Sequence, residues 1–365
     1  MTGFAVASAP GRPADFDAFA AGALGRTFAT GPAFHRAFTR HGPGWDGLVV
    51  TVRADGSLVT ALEGRLERRL GAAWLRAQPF GAPAGPLFSP ALPAGERARA
   101  AQLLWSELDR VVRAEGWVGG DVTYAGPALD EPGLRAPASL GAERLDVAHV
   151  IDAAAGYDAW HASLRKRARQ QFTKAVRLGV SVSEASDDRA ALARVHALHA
   201  EQARVWGTRD TRPLAFYQAL LDPPGGSRLW VARAGVEVVC GVLALVEGEE
   251  AYVWWSGSGL EARRLVAFPY LLSRVVAECG RPRVSLGFSG RMARLTDFKE
   301  QMGAIEVPVP ILELTPRPRT PYHALLAAAR RHARSRARHT GPGAAVGATT
   351  ATSTSTAGEP EAEEP

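Results

Sequence analysis

Twice along its 365 residues the chain passes through helical sequence, a group of strands, a helix and a closing strand, and this repeated order is what most restricts the fold. In the first half, residues 16–38 are helical in pattern. Strands at 48–53 and from Leu58 flank Asp55-Gly56, a hairpin signal because such a turn needs residues that tolerate positive φ. A Gly/Pro-rich loop over 79–93 then leads to a helix at 96–115, where Ala101, Leu104, Leu108 and Val111 recur at helical spacing, and to a strand at 118–124. In the second half, a Pro/Ala-rich loop precedes helices at 154–178, 188–205 and 213–221. Strands at 229–234, 238–246 and 251–256 follow as a meander broken at Gly235 and Glu247-Gly248, then a helix from about Pro269 and a strand at 283–286. The expected fold is α/β (α+β): two tandem units of mixed sheet flanked by helices, with no residue-level repeat between them. The expected boundaries are 1–150 and 151–316, then a basic helix-compatible segment at 317–340 and a disordered tail at 341–365, whose Gly, Ala, Thr, Ser and acidic residues cannot form a packed core.

Several classes are excluded or narrowed by composition. A hydrophobic content of 46% supports substantial cores. No run approaches the roughly 18 apolar residues of a membrane span, and the start lacks the basic and apolar regions of a secretory signal, so a cytoplasmic protein is expected. Cys240 and Cys279 stand alone in apolar sequence and read as core residues, which implies neither a zinc site nor a disulfide framework. A net charge of +6 suits phosphates, tRNA or an anionic membrane face, and a bias toward Arg across the chain accounts for it equally well.

Of forty-three basic residues only Lys166, Lys174 and Lys299 are lysines, and they fall in two short segments, 160–180 and 298–303. Where charge alone suffices Arg serves, so a retained Lys suggests a need for a compact ammonium. On a helix, Leu164, Ala168, Phe172, Ala175 and Leu178 share one side of the first segment, while Lys166, Arg167, Arg169, Lys174 and Arg177 spread over the other. Such a face either binds phosphates or is simply solvated.

The wording of this segment, Trp160-x3-Leu164, Arg/Lys pairs and then Lys174-Ala175-x3-Gly179-Val180, resembles the opening of the second half of Fem-type peptidyltransferases. These enzymes add amino acids to peptidoglycan precursors. Downstream, Arg204, Phe216-Tyr217 and Glu250-Ala251-Tyr252 follow in a fitting order, and Val284-Ser-Leu-Gly287 precedes Phe298-Lys299 and Met302-Gly303. The resemblance covers about residues 145–315. It implies tandem domains of the GNAT N-acyltransferase fold, with Lys299 at the reaction centre stabilising an oxyanion and Phe298 shaping the donor pocket. Arg165, Lys166, Arg167, Arg169, Lys174 and Arg204 would contact donor phosphates, and Arg36, or Arg40 beside it, would contact an acceptor phosphate. Ser285 departs from the Asp that many relatives carry there. Ser256-Gly-Ser-Gly259 reads as a plain turn, and Asp297, Glu300 and Glu250 are base candidates by position only.

Amide formation from an activated ester or thioester needs a positioned neutral amine and the handling of one proton. The expected function is therefore N-acyl transfer with no permanently bound cofactor or metal, from aminoacyl-tRNA to an amine of a peptidoglycan precursor or peptide-like metabolite. An acyl-CoA-dependent GNAT enzyme of envelope or polysaccharide assembly is the second reading. A non-catalytic basic adaptor that contacts nucleic acid or an anionic membrane is the third.

Overall fold

The computed structural model describes residues 3–41, 45–69, 72–77, 83–115, 119–205, 212–222, 226–289 and 292–316, with a few isolated positions beyond. The expected segment 317–340 lies for most of its length, and the tail 341–365 entirely, outside the described residues.

Among the described residues, all thirteen strands form one sheet. The first half contributes β1 (Phe4–Ala9), helices α1 (Phe16–Gly22) and α2 (Pro32–His41), strands β2 (Trp45–Ala54), β3 (Ser57–Arg69) and β4 (Ala72–Arg76), the short β5 (Leu87–Phe88), helix α3 (Ala94–Glu115), β6 (Gly119–Thr123), α4 (Pro127–Asp130) and β7 (Gly141–Asp152). The second adds α5 (Tyr157–Ser163), α6 (Lys166–Arg177), β8 (Val180–Glu184), α7 (Arg189–Val205), α8 (Leu214–Leu221), β9 (Ser227–Ala234), β10 (Glu237–Glu247), β11 (Glu250–Ser258), α9 (Leu260–Arg264), α10 (Ala267–Glu278), β12 (Arg283–Phe288), α11 (Ala293–Gln301) and β13 (Ile305–Leu314).

Strand order explains why the halves act as one body. It runs β1-β2-β3-β4-β6-β13-β7-β12-β11-β10-β9-β8, with β5 on β3, so β13 slots between β6 and β7 while β7 pairs with β12. Each half thus lends its last strand to the other. The β7–β13 ladder, from Ile305↔Val150 to Leu314↔Gly141, is the long central seam, and the expected boundary at 150/151 falls inside β7.

Strand alternation puts the helices of the second half on opposite faces. Trp230, Ala232, Val242, Ala244 and Val246 share a core with Trp160, Ala168 and Phe172 of α5–α6 and Leu271 and Val275 of α10. Leu229, Val231, Leu243 and Leu245 turn the other way, toward Phe34 and Phe38 of α2, Val195 of α7 and Phe216 and Tyr217 of α8. In the first half α3 covers a separate core with Trp105 and Tyr124 at its centre. There α2 is tied to β3 through the buried Glu63, held by Arg12 at 2.6 Å and His35 at 2.7 Å. Burial pushes that carboxyl up, but the His35 hydrogen bond and the Arg12 and Arg65 charges outweigh it and hold it at about 2.

The structure corrects several expectations. The helical stretch at 16–38 is two helices separated by a 3-10 turn at Phe28–Thr30. The helix at 154–178 breaks at Leu164 and Arg165, both of extended ψ, so Leu164 is buried from outside the helix; Leu178 is an exposed cap. Ser256-Gly257-Ser258 is strand, not turn: a Cβ on Gly257 would lie 2.2 Å from the Val195 carbonyl oxygen, so this glycine lets α7 settle on β11, where His199 meets the Ser256 carbonyl at 2.6 Å.

Candidate active site

Strands β11 and β12 run parallel but pair only at Glu250↔Arg283, Ala251↔Val284 and Tyr252↔Ser285. Beyond Tyr252 they diverge, because β11 continues to Ser258 against β10 while β12 turns away at Gly287. Gly287 has φ +66, and a Cβ there would sit 2.8 Å from the Tyr252 hydroxyl, so this close approach requires glycine. The split encloses about 190 Å³ between Tyr252, Val253, Trp254, Leu286, Gly287, Phe288 and Arg212, whose guanidinium stacks 4.8 Å over Trp254. Main-chain groups along β11 beyond Tyr252 lack a β12 partner here and can serve an extended ligand laid into the gap.

Tyr252 and Phe288 also line a larger cavity of about 330 Å³ on the seam. Its floor is Ala148 and Val150 of β7 with Val307 and Val309 of β13; Phe28 and Tyr124 wall it, and Glu250, Arg283 and Ser285 supply polar groups. Burial raises the Glu250 carboxyl, and the Arg283 charge and Ser285 hydroxyl offset this only in part. Glu250 therefore places a carboxylate one strand over from Ser285.

The first half contains a similar parallel pair, β4 with β6, from Trp74↔Gly119 to Arg76↔Asp121. There Ala77 continues the ladder by donating to the Asp121 carbonyl at 2.9 Å, and the chain returns to place Ala84 N–H on the Thr123 carbonyl. Backbone occupies that gap, whereas in the second half it is open.

Lys299 enters the split from behind. It is 4% exposed on α11, and its ammonium donates to the Gly287 and Phe288 carbonyls, both at 2.9 Å. Desolvation lowers its pKa to about 8. It holds the bend of β12 in place, so its charge lies directly behind the cleft wall. Next to it on β7 is the buried His149, whose Nδ1 meets the Ser289 hydroxyl at 3.1 Å and whose Nε2 lies 3.7 Å from Glu306. Burial and then the Lys299 charge lower its pKa, so this imidazole is neutral at pH 7.

The two segments singled out by lysine content meet. The Trp160 indole donates to the Met302 carbonyl at 3.2 Å, and Gly303, at φ +74, packs under Leu164 and Trp160. Phe298 lies 5.9 Å from Phe268 at the start of α10, on the face that α6 shares. Arg165, Lys166, Arg167, Lys174 and Arg177 are all exposed, and Arg169 folds back onto the Ala162 carbonyl. Arg36 on α2 and Arg204 at the end of α7 belong to helices on the opposite face, so the structure does not gather them with the α6 cations. Sequence reasoning passed over Tyr252, Tyr124 and Arg283 as site residues, because nothing local marks cross-strand neighbours. No group of three or more His, Cys, Asp or Glu among the described residues fits a metal ion, and no helix there is long and apolar enough to cross a membrane.

The opened parallel pair and most of the residues around it fall within one stretch that a family model matches. Residues 162–288 match the family model described as "Acetyltransferase (GNAT) domain". That stretch of the chain is a GNAT acyltransferase domain. Solved structures extend the likeness of this acyltransferase in fold beyond those residues. FemX superposes with a TM-score of 0.59 at 11% identity, over 83% of this chain and 96% of that one. The C-terminal domain of a protein described as a lysylphosphatidylglycerol synthetase from Agrobacterium fabrum gives 0.51 at 15% identity, over 74% and 84%. A conserved protein of unknown function from Bacteroides thetaiotaomicron gives 0.51 at 9%, over 85% and 99%. No curated protein matches.

Proposed function

We propose that this acyltransferase moves an acyl group from an acyl-CoA, laid into the β11–β12 split, to an amine held in the seam cavity. The observation that carries this reading is that the two spaces adjoin, sharing Tyr252 and Phe288 as lining residues, with the desolvated carboxylate of Glu250 in the larger one, two residues from Tyr252 along β11. Glu250 takes a proton from the incoming ammonium, and the freed lone pair attacks the thioester carbonyl. The tetrahedral oxyanion is stabilised by unpaired main-chain N–H groups of β11, with the Lys299 charge behind the wall, and collapses to the amide as the C–S bond breaks, the second proton of the attacking nitrogen passing to the departing thiolate. Phe298 and Phe268 border the start of α10 on the donor side.

A thioester donor is supported by the acetyltransferase family matched over residues 162–288. Aminoacyl-tRNA is the second reading, and one observation favours it: α6 exposes cations along twelve residues, roughly 18 Å of helix, more than a nucleotide diphosphate needs. The donor test mixes purified protein and an amine panel with either acetyl-CoA or charged tRNA, each with and without RNase. Thiol release and amide product from acetyl-CoA, untouched by RNase, are expected. Product only from charged tRNA, abolished by RNase, overturns the thioester donor and installs the second reading. In either case the location is a compartment holding the activated donor, and contact with an anionic membrane through α6 would show as salt-sensitive vesicle binding.

A further inference from the structure

The seam cavity offers opposite charges to a single ligand. Glu250 and Arg283 face each other across the parallel ladder of β11 and β12, and both line the cavity. Neighbouring strands lie about 4.8 Å apart, so a molecule that touches both side chains must carry its own charges close together. Arg283 has no side-chain hydrogen bond or ion pair among the described residues. The cavity's other guanidinium is already engaged: Arg26 lies 2.6 Å from Glu247 and donates to the Ala21 carbonyl. A free guanidinium is a planar fork that fits a carboxylate through two parallel hydrogen bonds. Beside it, the desolvated Glu250 is matched to an ammonium. Around this charged pair the walls are Phe28, Tyr124, Val150 and Phe288, and about 330 Å³ of space admits one amino-acid-sized group.

Building on the acyl-transfer reading, we propose that the acceptor presents an α-amino-carboxylate head group, its amine on Glu250 and its carboxylate on Arg283. The head group belongs either to a free amino acid or to the end of a longer molecule.

Calorimetry on the full chain tests this with alanine, lysine and phenylalanine, each beside its carboxamide and its decarboxylated amine, and with γ-glutamyl-alanine, which carries the same head on a longer molecule. At least one free amino acid, or γ-glutamyl-alanine if the source is the longer molecule, binds ten-fold or more tighter than its counterpart lacking the free carboxylate. Arg283→Gln reduces that preference to within two-fold. Equal affinity for carboxylate and carboxamide, or binding by none of these compounds, overturns the proposal. Product mass spectrometry separates this from the reading beneath it. Carboxylate-dependent binding without any acylated product removes acyl transfer and keeps the site; acylation of amines with no preference for a neighbouring carboxylate keeps acyl transfer and removes the head-group assignment.

Discussion

Glu250→Gln lowers turnover by about 10²–10⁴-fold, the usual worth of a positioned general base. The amide keeps the size of the side chain and cannot take a proton, so the donor KM is expected to change little while kcat falls. The pH profile adds a second readout. Burial raises the Glu250 carboxyl above its ordinary range, so in the wild type the rate climbs with pH through a point above that range. In Glu250→Gln the climb disappears and only a low, flat rate remains. Equal rates for the two proteins across pH would show that the acceptor loses its proton elsewhere, with the solvated Asp297 and Glu300 of α11 next to be replaced.

Changing Lys299 has the largest expected effect on stability, and the size of that effect depends on pH. Below about pH 8 both folded and unfolded chains carry the proton, and the folded state bears the cost of the desolvated ammonium in full. Between about 8 and the ordinary value of 10.5 the unfolded chain binds more protons, so stability rises with pH, by up to about 3 kcal/mol over the window. The buried Tyr124 and Tyr252 hydroxyls, raised by desolvation, act in the opposite direction at the alkaline end, so the comparison must be made against a variant. Lys299→Met leaves the Gly287 and Phe288 carbonyls without their donor, at a cost of about 1–3 kcal/mol for each unsatisfied group at neutral pH, and it abolishes the rise between 8 and 10.5. Urea midpoints at pH 7, 8.5 and 10 measure both effects. Lys299→Arg is expected to lose activity even where it folds, because a guanidinium is too large to hold both carbonyls from the same buried position, and the bend at Gly287 that opens the cleft is displaced. Wild-type rates in Lys299→Arg would show that any cation serves there.

Much of the fold was legible because local chemistry and tertiary role agree. Asp55 and Gly56 adopt φ of 47 and 83, as the hairpin signal requires, and the helical spacing of Leu104, Leu108 and Val111 packs one face of α3. The central strands β7 and β13 were not legible. Polar residues interrupt β7, and their partners come largely from distant parts of the chain, Glu313 across the seam for Arg144, which also pairs with Asp146, and Ser289 after β12 for His149. Pro308 and Pro310 argue against a strand in β13, yet both keep register with Val147 and Leu145, and the Pro310 carbonyl accepts from Tyr124. As for the site, Lys299, Phe298 and the Trp160–Leu164 stretch share one packed neighbourhood, since the family's wording there reflects helix packing. Glu250, Arg283 and Tyr252 draw their meaning from strand register and the exchange of β7 and β13, which no local window contains.

The central claim is that the split between β11 and β12, and not its counterpart in the first half, receives the acyl donor. Hydrogen exchange read by mass spectrometry, with and without the inert thioester substitute desulfo-CoA, tests it most directly. Slowed exchange is expected in β11 beyond Tyr252, in β12 at Leu286–Phe288 and at the start of α10, with β4 and β6 unchanged. Protection confined to β4, β6 and the start of α3 would contradict the account.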